Sequence, residues 1–169
     1  MGFDVFVGRP IVLMEAGSDK DTPYSIVSIG LAIEMALAVY GACEGMVSSG
    51  AASILCSQNR SILGPTYFIM IMVSTIFFSS FLVALIIATN IGDNLDMGKS
   101  ISYFSACLMV GMTAAISGKV CSALGKRGFR ILSEKPSFLP VLIILFGMIE
   151  FVIIVVLSCA LLMVYQTRG

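Results

Sequence analysis

The sequence predicts an all-α membrane protein in which four transmembrane helices form two tandem helical hairpins. Of the 169 residues, 58% are hydrophobic and 12% are charged, whereas soluble domains carry about 25% charged residues. Four apolar stretches each supply the ~20 residues that a helix needs to cross a hydrocarbon core of about 30 Å. Backbone groups in lipid must pair within their own segment, which favours helices over isolated strands. The stretches lie near residues 24–49, 65–90, 101–124 and 138–165.

These stretches divide the chain into four parts. We expect an N-terminal segment over residues 1–23, a first hairpin over 24–90, a luminal loop over 91–100 and a second hairpin over 101–169. The first helix of each hairpin is rich in small residues, and the second is rich in Ile, Leu, Val and Phe. The chain therefore looks like one helical hairpin used twice. Shifting the second half back by 76 residues places Glu150 on Ser74.

Small residues predict how the helices pack. Gly41 and Gly45 in the first helix, and Ala114 and Gly118 in the third, are spaced by four residues, which lets helix backbones approach closely in lipid. We therefore expect the first and third helices to share one layer and the second and fourth to share the other.

The charge of the connecting segments predicts the topology. Residues 125–137 hold Lys126, Arg127, Arg130 and Lys135 against a single acid, whereas residues 90–100 hold two acids against one lysine. Because basic loops face the cytoplasm, we expect loops 1–2 and 3–4 to be cytoplasmic, and the termini and loop 2–3 to be luminal.

Several kinds of site are disfavoured by the composition. The chain has no histidine, and its five cysteines are scattered without a CxxC spacing, which argues against a zinc site and against histidine-based catalysis. The ten basic residues balance the ten acidic ones, so net charge indicates no nucleic-acid partner. We expect no cofactor and no bound metal.

Glu150 is the main candidate for function because it lies near the middle of the fourth apolar stretch. A carboxylate at mid-membrane costs about 2.5–3.5 kcal/mol on insertion scales, and it escapes much of that cost by holding a proton. Reversible proton binding is therefore the expected chemistry. The alternative is a carboxyl group that only locks helix packing through hydroxyl groups. In either case we expect the supporting hydroxyls to be those of Ser74, Ser79 and Ser80.

Glu34 is the second candidate, about ten residues into the first helix and so also near mid-bilayer. It shares its helix face with small residues, which favours a buried structural hydrogen bond, or a residue that lines the inside of an assembly, over a proton carrier at the lipid. Glu44 and Lys119, near the ends of the two small-residue helices, can pair with each other or remain solvated.

One segment resembles the proteolipid c-subunit of vacuolar-type ATPases, namely KRGFRILSEKPSFLPVLIILFGMIE. That family carries a Gly-x-Arg, then a Pro, then a single Glu fourteen residues after the Pro; Gly128, Arg130, Pro136 and Glu150 match these positions. The resemblance extends over about residues 24–165. Ser79-Ser80 stands where the family usually has Tyr-Gly, and Glu34 has no counterpart, so the chain resembles a divergent member.

The resemblance implies a ring of c-type subunits in a vacuolar or other endomembrane, with the second and fourth helices outside. Glu150 would carry protons between two half-channels of the stator a-subunit, whose Arg would keep it ionised at one place. Other subunits would hydrolyse ATP, so the chain would not be an enzyme by itself. Lys126, Arg127 and Arg130 would dock the central stalk, or would serve only to set the topology.

Other function classes remain open at this point. Four helices with a membrane carboxylate also describe small proton-coupled multidrug antiporters, although these favour aromatic residues around the acid, and only Phe146 and Phe151 lie close to Glu150 in the sequence. A purely structural scaffold would explain neither mid-membrane Glu. Sodium instead of a proton would require further oxygen ligands beside Glu150.

Overall fold

The computed structural model describes residues 22–57, 63–92 and 95–166, which are almost entirely helical. Residues 1–21 of the predicted N-terminal segment lie outside the described residues. Each of the four long helices is long and apolar enough to cross a membrane, which confirms the predicted fold class. The elements are α1 (Thr22–Ser57), α2 (Leu63–Asn90), α3 (Met97–Glu134), a short 3₁₀ turn (Pro136–Phe138) and α4 (Leu139–Gln166).

The helices differ in length. α1 and α3 have 36 and 38 residues, or about 54 and 57 Å at 1.5 Å per residue. α2 and α4 have 28 residues each, or about 42 Å. Because a hydrocarbon core is about 30 Å thick, α1 and α3 project well beyond it.

The expected loop over residues 125–137 is therefore wrong, because α3 continues through the basic segment to Glu134. Lys, Arg and Glu are good helix formers, so the helix continues beyond the end of the apolar stretch. The helix ends where Lys135 adopts an extended conformation (φ −131°, ψ 97°). A residue before proline favours that conformation, and Pro136 follows.

α1 and α3 run parallel and in close contact along their small residues. A Cβ atom on Gly118 would overlap the carbonyl group of Gly41, and one on Gly125 would overlap the Ser49 side chain. Each of these α1 residues thus packs against the α3 residue about 77 positions later in the sequence. This offset is close to the shift of 76 residues that places Glu150 on Ser74.

α2 and α4 form the second layer. α2 contacts all three other helices and α4 contacts α2 and α3, whereas α1 and α4 share no contact within the described residues. Large apolar side chains fill the space between the layers, in one cluster around Phe129, Leu142 and Phe146 and another around Tyr103, Ile87 and Val164. This is the layering that the small-residue pattern predicts.

The two ends of the bundle are distinct. The Tyr24 hydroxyl donates to the Gly92 carbonyl oxygen at 2.9 Å, so the start of α1 and the α2–α3 connection lie at the same end. Asp96 caps α3 at this end by accepting from the Gly98 amide at 3.3 Å. The opposite end carries the exposed basic part of α3.

Candidate functional site

Glu150 lies on α4 and is only partly buried. Its neighbours along the helix, Met148 and Phe151, are each 65% exposed. The carboxyl group therefore sits beside an apolar outer surface formed by α4, with α2 next to it.

The hydroxyl that reaches Glu150 belongs to Thr75 on α2. Thr75 Oγ1 lies 3.1 Å from Glu150 Oε1 and 2.6 Å from the carbonyl oxygen of Met72. α2 and α4 are adjacent in the second layer, and this places the two side chains together.

The predicted supporting serines do not make this contact; each donates to a carbonyl of its own helix. Ser74 Oγ lies 2.7 Å from the Ile71 oxygen. Ser79 and Ser80 lie 2.9 and 3.3 Å from the Ile76 oxygen. The repeat pattern in the sequence pairs Glu150 with Ser74, whereas the residue that contacts Glu150 is the next one along α2, Thr75. The predicted contact was therefore wrong by one residue.

The third helix at this site, α3, contributes Cys121. This thiol is buried and lies near the Glu150 carboxyl group. One turn further along α4, Ile153 borders a cavity of about 10 Å³ that is also lined by Ser79, Ser80 and Thr113. That volume is at the lower limit for one water molecule.

Glu34 occupies a different environment between α1 and α3. It is 0% exposed, and a Cβ atom on Gly111 would lie 3.0 Å from its Cα atom. The Cys107 thiol lies beside the carboxyl group, but a thiol is a weak donor. Neither carboxyl oxygen has a hydrogen-bond partner of ordinary geometry. The structural hydrogen bond expected for Glu34 is therefore not formed with a strong partner.

Glu44 and Lys119 both meet Tyr40 on the exposed side of α1 and α3. Lys119 Nζ lies 5.8 Å from the centroid of the Tyr40 ring, within range of a cation–π contact, and the Tyr40 hydroxyl lies near the Glu44 carboxyl group. Lys119 thus faces away from the second layer and from Glu150.

The predicted docking residues Lys126, Arg127 and Arg130 are exposed on the projecting end of α3, so they stand on a helix and not in a loop. Within the described residues, no group of three or more His, Cys, Asp or Glu side chains could hold a metal ion.

The family model of the ATP synthase C-subunit matches residues 104–163. The match includes Cys121 and Glu150 and covers most of α3 and α4. It supports a c-subunit-type family. Members of that family are membrane rotor subunits and not catalytic ones, and they form oligomeric rings in ATP synthases. No curated protein matches the chain.

This c-subunit-type match supports a multi-pass membrane protein with a role in proton translocation. It gives no support to the antiporter alternative. The match lies in the second hairpin, and the first hairpin has a similar pattern of small and large residues.

Proposed function

We propose that the chain is the proton-carrying subunit of the rotor ring of a vacuolar-type ATPase, with Glu150 as the carrier. The observation that supports this most strongly is the position of Glu150. It lies in the hairpin that matches the c-subunit family model, on the α2–α4 side, partly buried and next to exposed apolar side chains. A protonated carboxyl group there can move past lipid, whereas an ionised one pays the cost of a charge in hydrocarbon.

The ionised form needs a cation that the described part of this chain does not place beside it. Lys119 contacts Tyr40 on the other layer, and Lys126, Arg127 and Arg130 stand on the projecting end of α3. We infer that a partner protein, the a-subunit of the stator, supplies an Arg. Glu150 then gives up its proton beside that Arg and takes up another in the second half-channel before it re-enters lipid.

The vacuolar type is supported by the duplicated hairpin with a carboxylate on one of its two outer helices. α1 packs on α3 at an offset of about 77 residues, in keeping with a repeated unit. Thr75 on α2 stands opposite Glu150 on α4. Each four-helix chain would therefore contribute one proton carrier to the ring.

The projecting ends of α1 and α3 suggest the orientation. The exposed basic residues at this end favour the cytoplasmic side, where they would contact central stalk subunits driven by ATP hydrolysis elsewhere in the complex. The end marked by Tyr24 and Gly92 would then face the lumen of a vacuole or another endomembrane compartment.

Substitution of Glu150 tests the proposal. In vesicles reconstituted with the complete ATPase, Glu150→Gln should abolish ATP-driven acidification, because an amide does not bind and release the proton, while particle images still show the ring. Glu134→Gln is the matched control, since Glu134 is exposed at the end of α3, and it should pump normally. Acidification by the Glu150→Gln complex would overturn the proposal.

A further inference from the structure

Glu34 is a buried carboxyl group that the proposed transport mechanism does not use. Its side chain is 0% exposed, and within the described residues neither of its oxygens has a hydrogen-bond partner of ordinary geometry. Burying an ionised carboxylate without a paired charge costs several kcal/mol. A carboxylic acid that holds its proton avoids this cost and keeps one O–H group to donate. The surroundings of Glu34 therefore suit a neutral acid and not a carboxylate.

The packing of α1 on α3 brings one thiol to this carboxyl group. A Cβ atom on Gly111 would lie 3.0 Å from the Cα atom of Glu34, and one on Gly30 would lie 3.6 Å from the Cβ atom of Cys107. The second contact lies one helical turn before the first on both helices. Side chains tilt toward the N-terminus of their helix, so Glu34 extends from the level of Gly111 toward that of Cys107, whose thiol lies beside the carboxyl group. Tyr103, one turn before Cys107, is the next titratable side chain of α3 in that direction.

No cation faces Glu34 from the described helices. On α3, Lys119 and Lys99 lie about 12 and 18 Å from the level of Glu34 at 1.5 Å per residue. On α1 itself, Glu44 lies about 15 Å further along the axis. The titratable side chain of α2 is Tyr67, near the start of that helix, and α4 does not contact α1 within the described residues. The thiol on α3 is thus the polar side chain that is available to the acid.

We infer that Glu34 binds one structural proton that stays in place, with its O–H group directed to the sulfur of Cys107 between α1 and α3. A sulfur atom accepts hydrogen bonds only weakly, in keeping with the lack of a stronger partner among the described residues. The inference goes beyond the proposed function, in which Glu150 carries the transported proton. Each chain would hold two carboxyl groups within its apolar helices and transport the proton of one.

Infrared spectra of the purified, assembled complex test the inference, because a protonated carboxyl group has a carbonyl stretch that a carboxylate lacks. One such band should be lost in Glu34→Gln and a different one in Glu150→Gln. The Glu34 band should persist in alkaline buffer that removes the Glu150 band, and it should shift more slowly after transfer to heavy water. Cys107→Ala should move the Glu34 band to higher frequency, because the acceptor is removed. Cys107→Ser should move it to lower frequency, because a hydroxyl oxygen is a stronger acceptor than sulfur.

Cys43→Ala is the matched control, because it removes an exposed thiol of α1, and it should leave the Glu34 band unchanged. A Glu34→Gln spectrum that loses no carbonyl band would mean that Glu34 is ionised. A Glu34 band that disappears or exchanges together with that of Glu150 would mean that its proton is not held in place, and a band that neither Cys107 variant moves would mean that the thiol is not its acceptor. Each of these three results overturns the inference.

Glu34→Met provides a second variant should the glutamine amide disturb assembly, and it should lose the same band. Proton pumping by the Glu150→Gln complex, together with the predicted Glu34 band, would instead refute the transport role of Glu150 and leave the structural proton standing.

Discussion

Glu34 and Glu150 are the same residue type in apolar helices, yet the fold gives them opposite environments. Glu34 is completely buried between α1 and α3, and its carboxyl oxygens have no hydrogen-bond partner stronger than the neighbouring Cys107 thiol. Glu150 is partly exposed on the α2–α4 side and contacts the Thr75 hydroxyl. An acid in an apolar helix is therefore not by that fact alone a proton carrier; the packing of the surrounding helices decides whether its carboxyl group can exchange a proton.

The difference arises from side-chain size. On α1 and α3, glycines allow the backbones to touch at Gly41 and Gly118, and this close approach seals Glu34. On α2 and α4, large side chains hold the helices apart and cover the outer surface with residues such as Phe78 and Phe151. A carboxyl group between these helices stays within reach of lipid and of a partner protein.

The largest expected effect comes from forcing α1 and α3 apart where their backbones are in contact. Gly118→Ala places a Cβ atom against the Gly41 carbonyl group, and such overpacking typically costs about 1–3 kcal/mol. We expect a clear loss of thermal stability of the detergent-solubilised chain, measured by a melting curve.

Gly147→Ala on α4 is the matched control, because nothing lies within 4 Å of the added Cβ atom. Alanine is favoured over glycine in a helix by roughly 1 kcal/mol, so this variant should be as stable as the original or slightly more so. Equal melting temperatures for the two variants would show that α1 and α3 are not in backbone contact at Gly118.

A smaller effect is expected at Glu34 itself. Glu34→Gln has nearly the same volume, so the reconstituted complex should keep substantial proton transport. The glutamine amide adds an N–H donor to a buried site. If that donor finds no acceptor, the free energy of unfolding should fall by at most about 1–3 kcal/mol. If acidification disappears as completely as for Glu150→Gln, the contrast between the two acids does not hold for function.

The sequence predicted the helices and their layers because composition and small-residue spacing report directly on lipid burial and close packing. It did not predict the end of α3, since hydropathy marks where the apolar stretch ends, and Lys126, Arg127 and Arg130 continue the helix beyond that point. It pointed to Ser74 and not to Thr75, because one residue turns a helix by about 100° and the repeat offset does not resolve such a rotation. It did identify Glu34 as a buried group, from the small residues on the same face.

Chemical labelling of the two carboxyl groups tests the central contrast most directly. A hydrophobic carbodiimide enters lipid and reacts with protonated carboxyl groups, and mass spectrometry of the chain from treated native membranes locates the adduct. We predict an adduct on Glu150 and none on Glu34. An adduct on Glu34, with Glu150 left unmodified, would contradict the account.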